Sequence, residues 1–229
     1  MNRLLRRCAA LLAIAVALAL ASCGDSDPEP SSSAASTTAT TAAEPQLGPP
    51  FGSMDDLPGV LTTAPPWPTN AGKLQLRLRE IGLPALTAEG QVVHTHQHLD
   101  LFVDGEAVPV APDIGVAADS SFISPLHTHQ PKPGKPPDGI LHVESPTETS
   151  YTLGQVFAVW GVRLDEKCIG GTCAGARTQL RMWVNGEPFE ADPTRLILLE
   201  HQQIVIAYGT EAQMPKDVAA TYDWEAAGL

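Results

Sequence analysis

The feature that most constrains this chain is an alternating run, HTHQH at positions 94–98, that continues directly into Leu99-Asp100-Leu101-Phe102-Val103. In an extended strand, side chains at every second position project to the same face. His94, His96 and His98 would therefore share one face, and the opposite face would carry Leu99, Leu101 and Val103. The pattern predicts a strand over residues 92–103 with a histidine-bearing face and an apolar face.

The other histidines cluster nearby. The chain has seven histidines, and six of them lie within residues 94–142. A second pair, His127-Thr128-His129, is followed by His142-Val143-Glu144. Imidazole is the commonest neutral nitrogen ligand of transition metals. The sequence therefore predicts a metal site with these candidate ligands: His94, His96, His98, His127, His129, His142 and Glu144. The alternative is a histidine hydrogen-bond network without a metal, and we interpret His201 as structural.

Geometry limits how many of these histidines can bind one ion. The ends of the HTHQH run lie about 13 Å apart along a strand. We therefore expect two of the three to bind directly, with the third supporting another ligand or another ion. Glu144 would serve as a ligand, as an orienter of an imidazole, or as a general base.

The donor types favour copper or zinc as the cofactor. Sulfur is scarce, because the methionines beyond the N-terminus are only Met54, Met182 and Met214. This argues against a thiolate blue-copper site and against a methionine-rich Cu(I) carrier. Imidazole with carboxylate suits both Cu(II) and Zn(II), and the sequence does not separate them.

The rest of the domain is predicted to be mainly β, a sandwich or barrel of short antiparallel strands with one short N-terminal helix. Asp104-Gly105 and Asn185-Gly186 are typical of two-residue hairpin turns. Thr69-Asn70 can cap the predicted helix, Leu74, Leu78 and Ile81 have helical spacing, and Gly82-Leu83-Pro84 supplies a stop. A strand is the alternative, because Leu74, Leu76 and Leu78 also alternate. Further strands are predicted over residues 139–144, 151–162, 179–184, 196–199 and 203–208.

The N-terminus is predicted to be a lipoprotein signal peptide, residues 1–22. Three arginines precede an apolar run that is too short for an ordinary membrane-spanning helix. The segment Leu20-Ala21-Ser22-Cys23 resembles the bacterial lipobox, which implies cleavage before Cys23 and diacylation of its sulfur. The expected location is extracytoplasmic, lipid-anchored to the outer face of the cell membrane, with the membrane as partner through that lipid.

Composition divides the remaining chain into a tether and a domain. Residues 23–50 are rich in Ser, Thr, Ala and Pro and have almost no large apolar side chain, which predicts a disordered tether. Residues 51–229 are predicted to form a single β-rich domain with its core at about residues 70–210. The net charge is −12, and loss of the three N-terminal arginines would make it more negative. That charge argues against a nucleic-acid partner.

Two cysteines remain in the predicted domain. Cys168 and Cys173 flank a short loop with two glycines, and outside the cytoplasm a small disulfide is the expected state. A thiolate metal site or redox pair is the alternative, although a redox pair is more usually spaced CxxC.

Several motifs resemble a family of secreted actinobacterial proteins and lipoproteins over roughly residues 74–209. The resemblance rests on HxHxHL, HTH and GI(x)HxE motifs, which fall at His94–Leu99, His127–His129 and Gly139–Glu144. Shorter matches lie at residues 81–86, 114–116, 153–157 and 159–162. The resemblance implies an Asp directly after the HTH motif, whereas this chain has Gln130 and then a Pro/Lys-rich insertion. It implies no activity.

Three functions remain open from the residues. The first is a surface-anchored protein that binds or delivers a transition metal. The second is a metal-dependent enzyme, an oxidoreductase or hydrolase, with Glu144 or Asp100 as base. The third is a non-catalytic interaction module of the cell envelope with structural histidines. The sequence has no GxSxG elbow, phosphate-binding loop or HExxH motif, and assigns no catalytic residue.

Overall fold

The computed structural model describes residues 44–229. The predicted signal peptide, Cys23 and most of the predicted tether lie outside this range. Among the described residues, no helix is both long enough and apolar enough to cross a membrane.

Most of the strands form one mixed sheet, and the mainly β prediction is confirmed. The strands are β1 Val93–Val103, β2 Glu106–Val108, β3 Leu126–His127, β4 Ile140–Ser145, β5 Cys168–Ile169, β6 Thr172–Cys173, β7 Gln179–Val184, β8 Glu187–Pro188 and β9 Gln203–Gly209. The strand order in the large sheet is β3-β4-β1-β9-β7-β8, with β2 also paired to β1. All pairs in this sheet are antiparallel except β1 with β9, which run parallel. The order is open, so the sheet is not a closed barrel.

Both predicted hairpin turns are confirmed. Asp104 and Gly105 have φ of 54° and 85°, and Asn185 and Gly186 have φ of 54° and 83°. Positive φ at both central residues is the signature of a type I′ turn, which matches the twist of the flanking strands. The first turn joins β1 to β2 and the second joins β7 to β8.

The prediction of a strand over residues 151–162 is wrong. This segment contains the helix α2, Leu153–Trp160. Thr152 and Gln155 form a capping box at its start, and Gly161, with φ of 75°, ends it. Nearly every side chain in α2 is buried, so the segment lacks the polar face that would have indicated a helix.

The remaining helices are short. The predicted N-terminal helix is confirmed as α1, Leu74–Glu80, and α3 is Trp224–Ala227. Single 3-10 turns cover residues 71–73, 193–195 and 211–213. The predicted strand over 196–199 is wrong, because only isolated bridges form there, from Leu196 to Leu47 and from Ile197 to Thr152. Backbone pairing therefore reaches residues 46–48, upstream of the predicted start of the domain.

The two faces of the sheet are covered differently. The main core lies on the face that carries Leu99, Leu101 and Ile206, where Phe157 and Trp160 of α2 pack. The opposite face carries a smaller apolar cluster around Trp183 and Val205, which the C-terminal segment covers. The histidines of β1 lie on this second face, because they alternate with the core residues.

The predicted disulfide is confirmed. Cys168 and Cys173 are bonded and face each other across the two-stranded ladder of β5 and β6. Disulfides are typical of proteins that fold in oxidising, extracytoplasmic compartments.

Candidate metal centre

Strand register brings three histidines into one row. His142 of β4 is the direct partner of His96 on β1 and of His127 on β3. Glu144, two residues further along β4, is paired with His94. Because directly paired residues project to the same face, all five side chains meet on the face opposite the main core.

The ring of His142 is the centre of this arrangement. Its centroid lies 4.8 Å from the His96 ring and 5.3 Å from the His127 ring. The His129 ring lies 4.3 Å away on the same side as His127. Imidazoles from β1 and from the HTH motif therefore pack around one central imidazole on β4.

The donor atoms form two overlapping groups. One group is His94, His96, His142 and Glu144; the other is His127, His129, His142 and Glu144. Within each group, one ligand atom from each residue lies within 4.8 Å of all the others. Such His/Glu groups could hold a metal ion. The donors are only nitrogen and oxygen, which fits the copper or zinc expected from the sequence.

Local contacts fix the position of the HTH motif of residues 127–129. The Thr128 hydroxyl donates to the Ala111 carbonyl at 2.8 Å and accepts from the Ile114 amide at 3.0 Å. Gly115 has φ of 76°, and a Cβ there would lie 2.2 Å from the Leu126 carbonyl oxygen. Only glycine allows this close approach, which places β3 and its histidines beside β4.

The tautomer of His127 is set by its surroundings. Its Nδ1 lies 3.1 Å from the Ser124 carbonyl oxygen, which can only accept a hydrogen bond. Nδ1 therefore carries the proton, and the lone pair of Nε2 faces His129 and Glu144. Backbone orientation of this kind is the usual support of a metal-binding histidine.

Burial keeps the central imidazoles neutral. Desolvation lowers the pKa of His127 to about 4 and that of His142 to about 2, with the neighbouring histidines contributing in the same direction. Desolvation also lowers the pKa of His96. Neutral imidazole is the form that binds a metal, so these groups are ready to bind at neutral pH.

Glu144 is the buried carboxylate of the site. Its side chain is 3% exposed, and its Oε1 lies 3.3 Å from His142 Nδ1 and 3.4 Å from His94 Nε2. Its other oxygen, Oε2, is buried without a hydrogen-bond partner. Burial raises the pKa of this carboxyl, and the adjacent Glu89 raises it further. A buried carboxylate with an unused oxygen needs a cation or a proton to compensate its burial.

Two acidic residues of the centre were missed by the sequence analysis. Glu89 Oε1 lies 3.7 Å from His129 Nε2 and 3.9 Å from His127 Nε2. Glu200 Oε1 lies 3.8 Å from His96 Nδ1. Neither belongs to a histidine motif. No linear motif marks either residue, because both reach the centre through contacts between segments that are distant in the sequence.

The structure does not bring His98 into either group. Its Nδ1 lies 2.9 Å from Gln203 Oε1, and its ring stacks on Tyr222 with centroids 4.0 Å apart. Gln203 in turn donates to Asp100, which also lies outside both groups. His201 stacks on Trp224. Gln130, where the resemblance implied an Asp, donates a hydrogen bond to Asp113 instead of joining a group.

Comparison of this chain with protein families, with curated proteins and with solved structures finds no match. The chemistry of the centre therefore rests on its own geometry.

Proposed function

We propose that this chain is a lipid-anchored protein of the cell envelope that binds copper or zinc and delivers it. The observation that carries the proposal is the convergence of five histidines and a buried glutamate from three strands, with donor atoms within 4.8 Å in each group. Histidines that only stabilise a fold need no such convergence, because each would find its own hydrogen-bond partner.

The exposure of the donors supports delivery. His127 and Glu144 are almost fully buried, whereas the His94 and His129 side chains are 49% and 47% exposed. A partner protein can reach the two exposed imidazoles and replace them one at a time. A structural site would instead be closed, with every coordination position filled by a protein ligand that stays in place.

A metal-dependent enzyme is the second candidate, and Glu144 favours it. Burial raises the pKa of this carboxyl, as expected of a general base that works near neutral pH. In that case Glu144 would accept a proton from a bound water while the histidines hold the ion. The oxidoreductase or hydrolase alternative would then use the same residues.

The anchor is proposed from the sequence. Diacylation of Cys23 would tether the domain to the outer face of the membrane, and the disulfide Cys168–Cys173 supports that compartment. Cys23→Ser should abolish both the cleavage before residue 23 and the incorporation of labelled palmitate that the wild-type chain should show. If the wild-type chain incorporates no palmitate, the lipid anchor is wrong.

Metal content tests the function directly. The full chain, purified in detergent with a tag that lacks histidine and without chelators, should retain a stoichiometric transition metal by elemental analysis. His127→Ala with His129→Ala should lower the retained metal, whereas His201→Asn, a histidine outside both groups, should not. Absence of stoichiometric metal from the wild-type chain, or equal retention by all variants, would contradict metal binding.

A further inference from the structure

The two donor groups of the metal centre have the same construction. Each has its own His-x-His pair, His94 and His96 on β1 or His127 and His129 at β3. The strand between them, β4, supplies His142 and Glu144 to both groups. A single four-coordinate ion uses only four donors, which leaves one complete His-x-His pair without a role.

The spacing within each pair fits one ion. Two donors bound at 2.0–2.1 Å to a tetrahedral ion lie about 3.3–3.4 Å apart. His94 Nε2 and His96 Nε2 are 3.2 Å apart, and His127 Nε2 and His129 Nε2 are 3.3 Å apart. Each pair therefore already has the separation that one bound ion requires.

The shared carboxylate lies between the pairs. Glu144 Oε1 is 3.4 Å from His94 Nε2 and 3.8 Å from His127 Nε2, so it is within reach of both groups. The same oxygen, Oε1, therefore faces both pairs, and a carboxylate oxygen has enough lone pairs to bind two cations at once. The second oxygen of Glu144, Oε2, is buried and unpartnered.

We propose that the centre takes two transition-metal ions, one on each His-x-His pair, with Glu144 bridging them and His142 packed between. This inference rests on the proposed metal-binding function and specifies that the bound metal is two neighbouring ions. The half-exposed Glu89, 3.7 Å from His129 Nε2, and Glu200, 3.8 Å from His96 Nδ1, add one negative charge beside each ion.

Stoichiometry of the full chain in detergent provides the test. The wild-type chain, stripped and then titrated with Cu(II) or with Zn(II), should retain two ions per chain after gel filtration. His94→Ala and His129→Ala each remove an exposed ligand from one group only, so each should retain one ion firmly. The affinity for the other ion should fall by at least about 10–100-fold, the loss that even a supporting residue causes. His98→Asn removes a histidine of the same strand face that lies outside both groups; it is the matched control and should retain two.

Electron paramagnetic resonance gives a readout that does not depend on counting. Two Cu(II) ions that share a carboxylate should couple, so the wild-type signal should be weaker than two independent ions would give. Each single variant should give the full signal of one isolated Cu(II). Glu144→Gln should uncouple the ions or lower the affinity for both.

The possible failures are distinguishable. Retention of one ion by the wild-type chain, whichever single variant loses it, would overturn the two-ion inference and leave metal binding intact. Retention of no ion would overturn the proposed function as well. Two ions with uncoupled, full-intensity signals would overturn the bridging role of Glu144.

Discussion

Acidification should destabilise the metal-free protein, because its central histidines resist protonation only while the chain is folded. His127 has a pKa of about 4 and His142 of about 2 in the fold, against 6.5 for an ordinary histidine. Between those values the unfolded chain binds protons that the folded chain does not. The stabilising contribution is therefore present above pH 6.5 and is lost as the pH falls towards 4.

The magnitude follows from the proton linkage. Consider a histidine whose pKa is ordinary in the unfolded chain and much lower in the fold. When the pH falls from 7.5 to 5.0, it lowers the free energy of unfolding by about 2 kcal/mol. The two together give a fall of up to about 4 kcal/mol in the free energy of unfolding. The lowered pKa of His96 adds to this fall, whereas the raised pKa of Glu144 opposes it, because the folded carboxyl takes up its proton first.

Urea unfolding of the metal-free protein at the two pH values measures this difference. His127→Gln removes one of the buried imidazoles and should reduce the pH-dependent loss by about 2 kcal/mol. Val143→Ala, a buried substitution on the core face of β4, should lower stability by the same amount at both pH values. Equal stability of the wild-type protein at pH 7.5 and 5.0, or greater stability at 5.0, would refute the reasoning.

Two further substitutions test the supports of the centre. Gly115→Ala should lower the free energy of unfolding by more than about 1 kcal/mol and weaken metal retention at His127 and His129. The reason is that a Cβ at position 115 would lie 2.2 Å from the Leu126 carbonyl oxygen. Unchanged urea unfolding would show that this close approach does not matter for stability. Cys168→Ser with Cys173→Ser should lower the free energy of unfolding by about 2 kcal/mol, the loop-closure value for so short a loop, and leave the metal content unchanged. Loss of metal would show that the disulfide positions the centre.

Local signals in the sequence predicted local structure well. The alternation around His94 to His98 predicted β1, and the Asp-Gly and Asn-Gly dipeptides predicted both turns, because each depends on a few adjacent residues. The helix α2 was mistaken for a strand because its residues are apolar on all sides. The capping pair Thr152 and Gln155 was the signal that could have identified it.

Long-range features could not be predicted in the same way. The pairing of His127 with His142 depends on strand register across the Pro/Lys-rich connection that follows Gln130. The parallel pairing of β1 with β9 joins segments far apart in the chain, and no dipeptide encodes it. Glu89 lies next to the close contact of Gly90 with Ser145, a tertiary contact that a linear motif cannot show.

The order β3-β4-β1 has a mechanical consequence. β3 is the last strand of the sheet and contains only two residues, so its pairing with β4 is short. An ion held by His127 and Glu144 would add a second link between the two strands, and the binding energy would add to the folding energy there. Metal binding would therefore also make β3 more rigid. A partner protein that accepts the metal could recognise the metal-bound form by that rigidity.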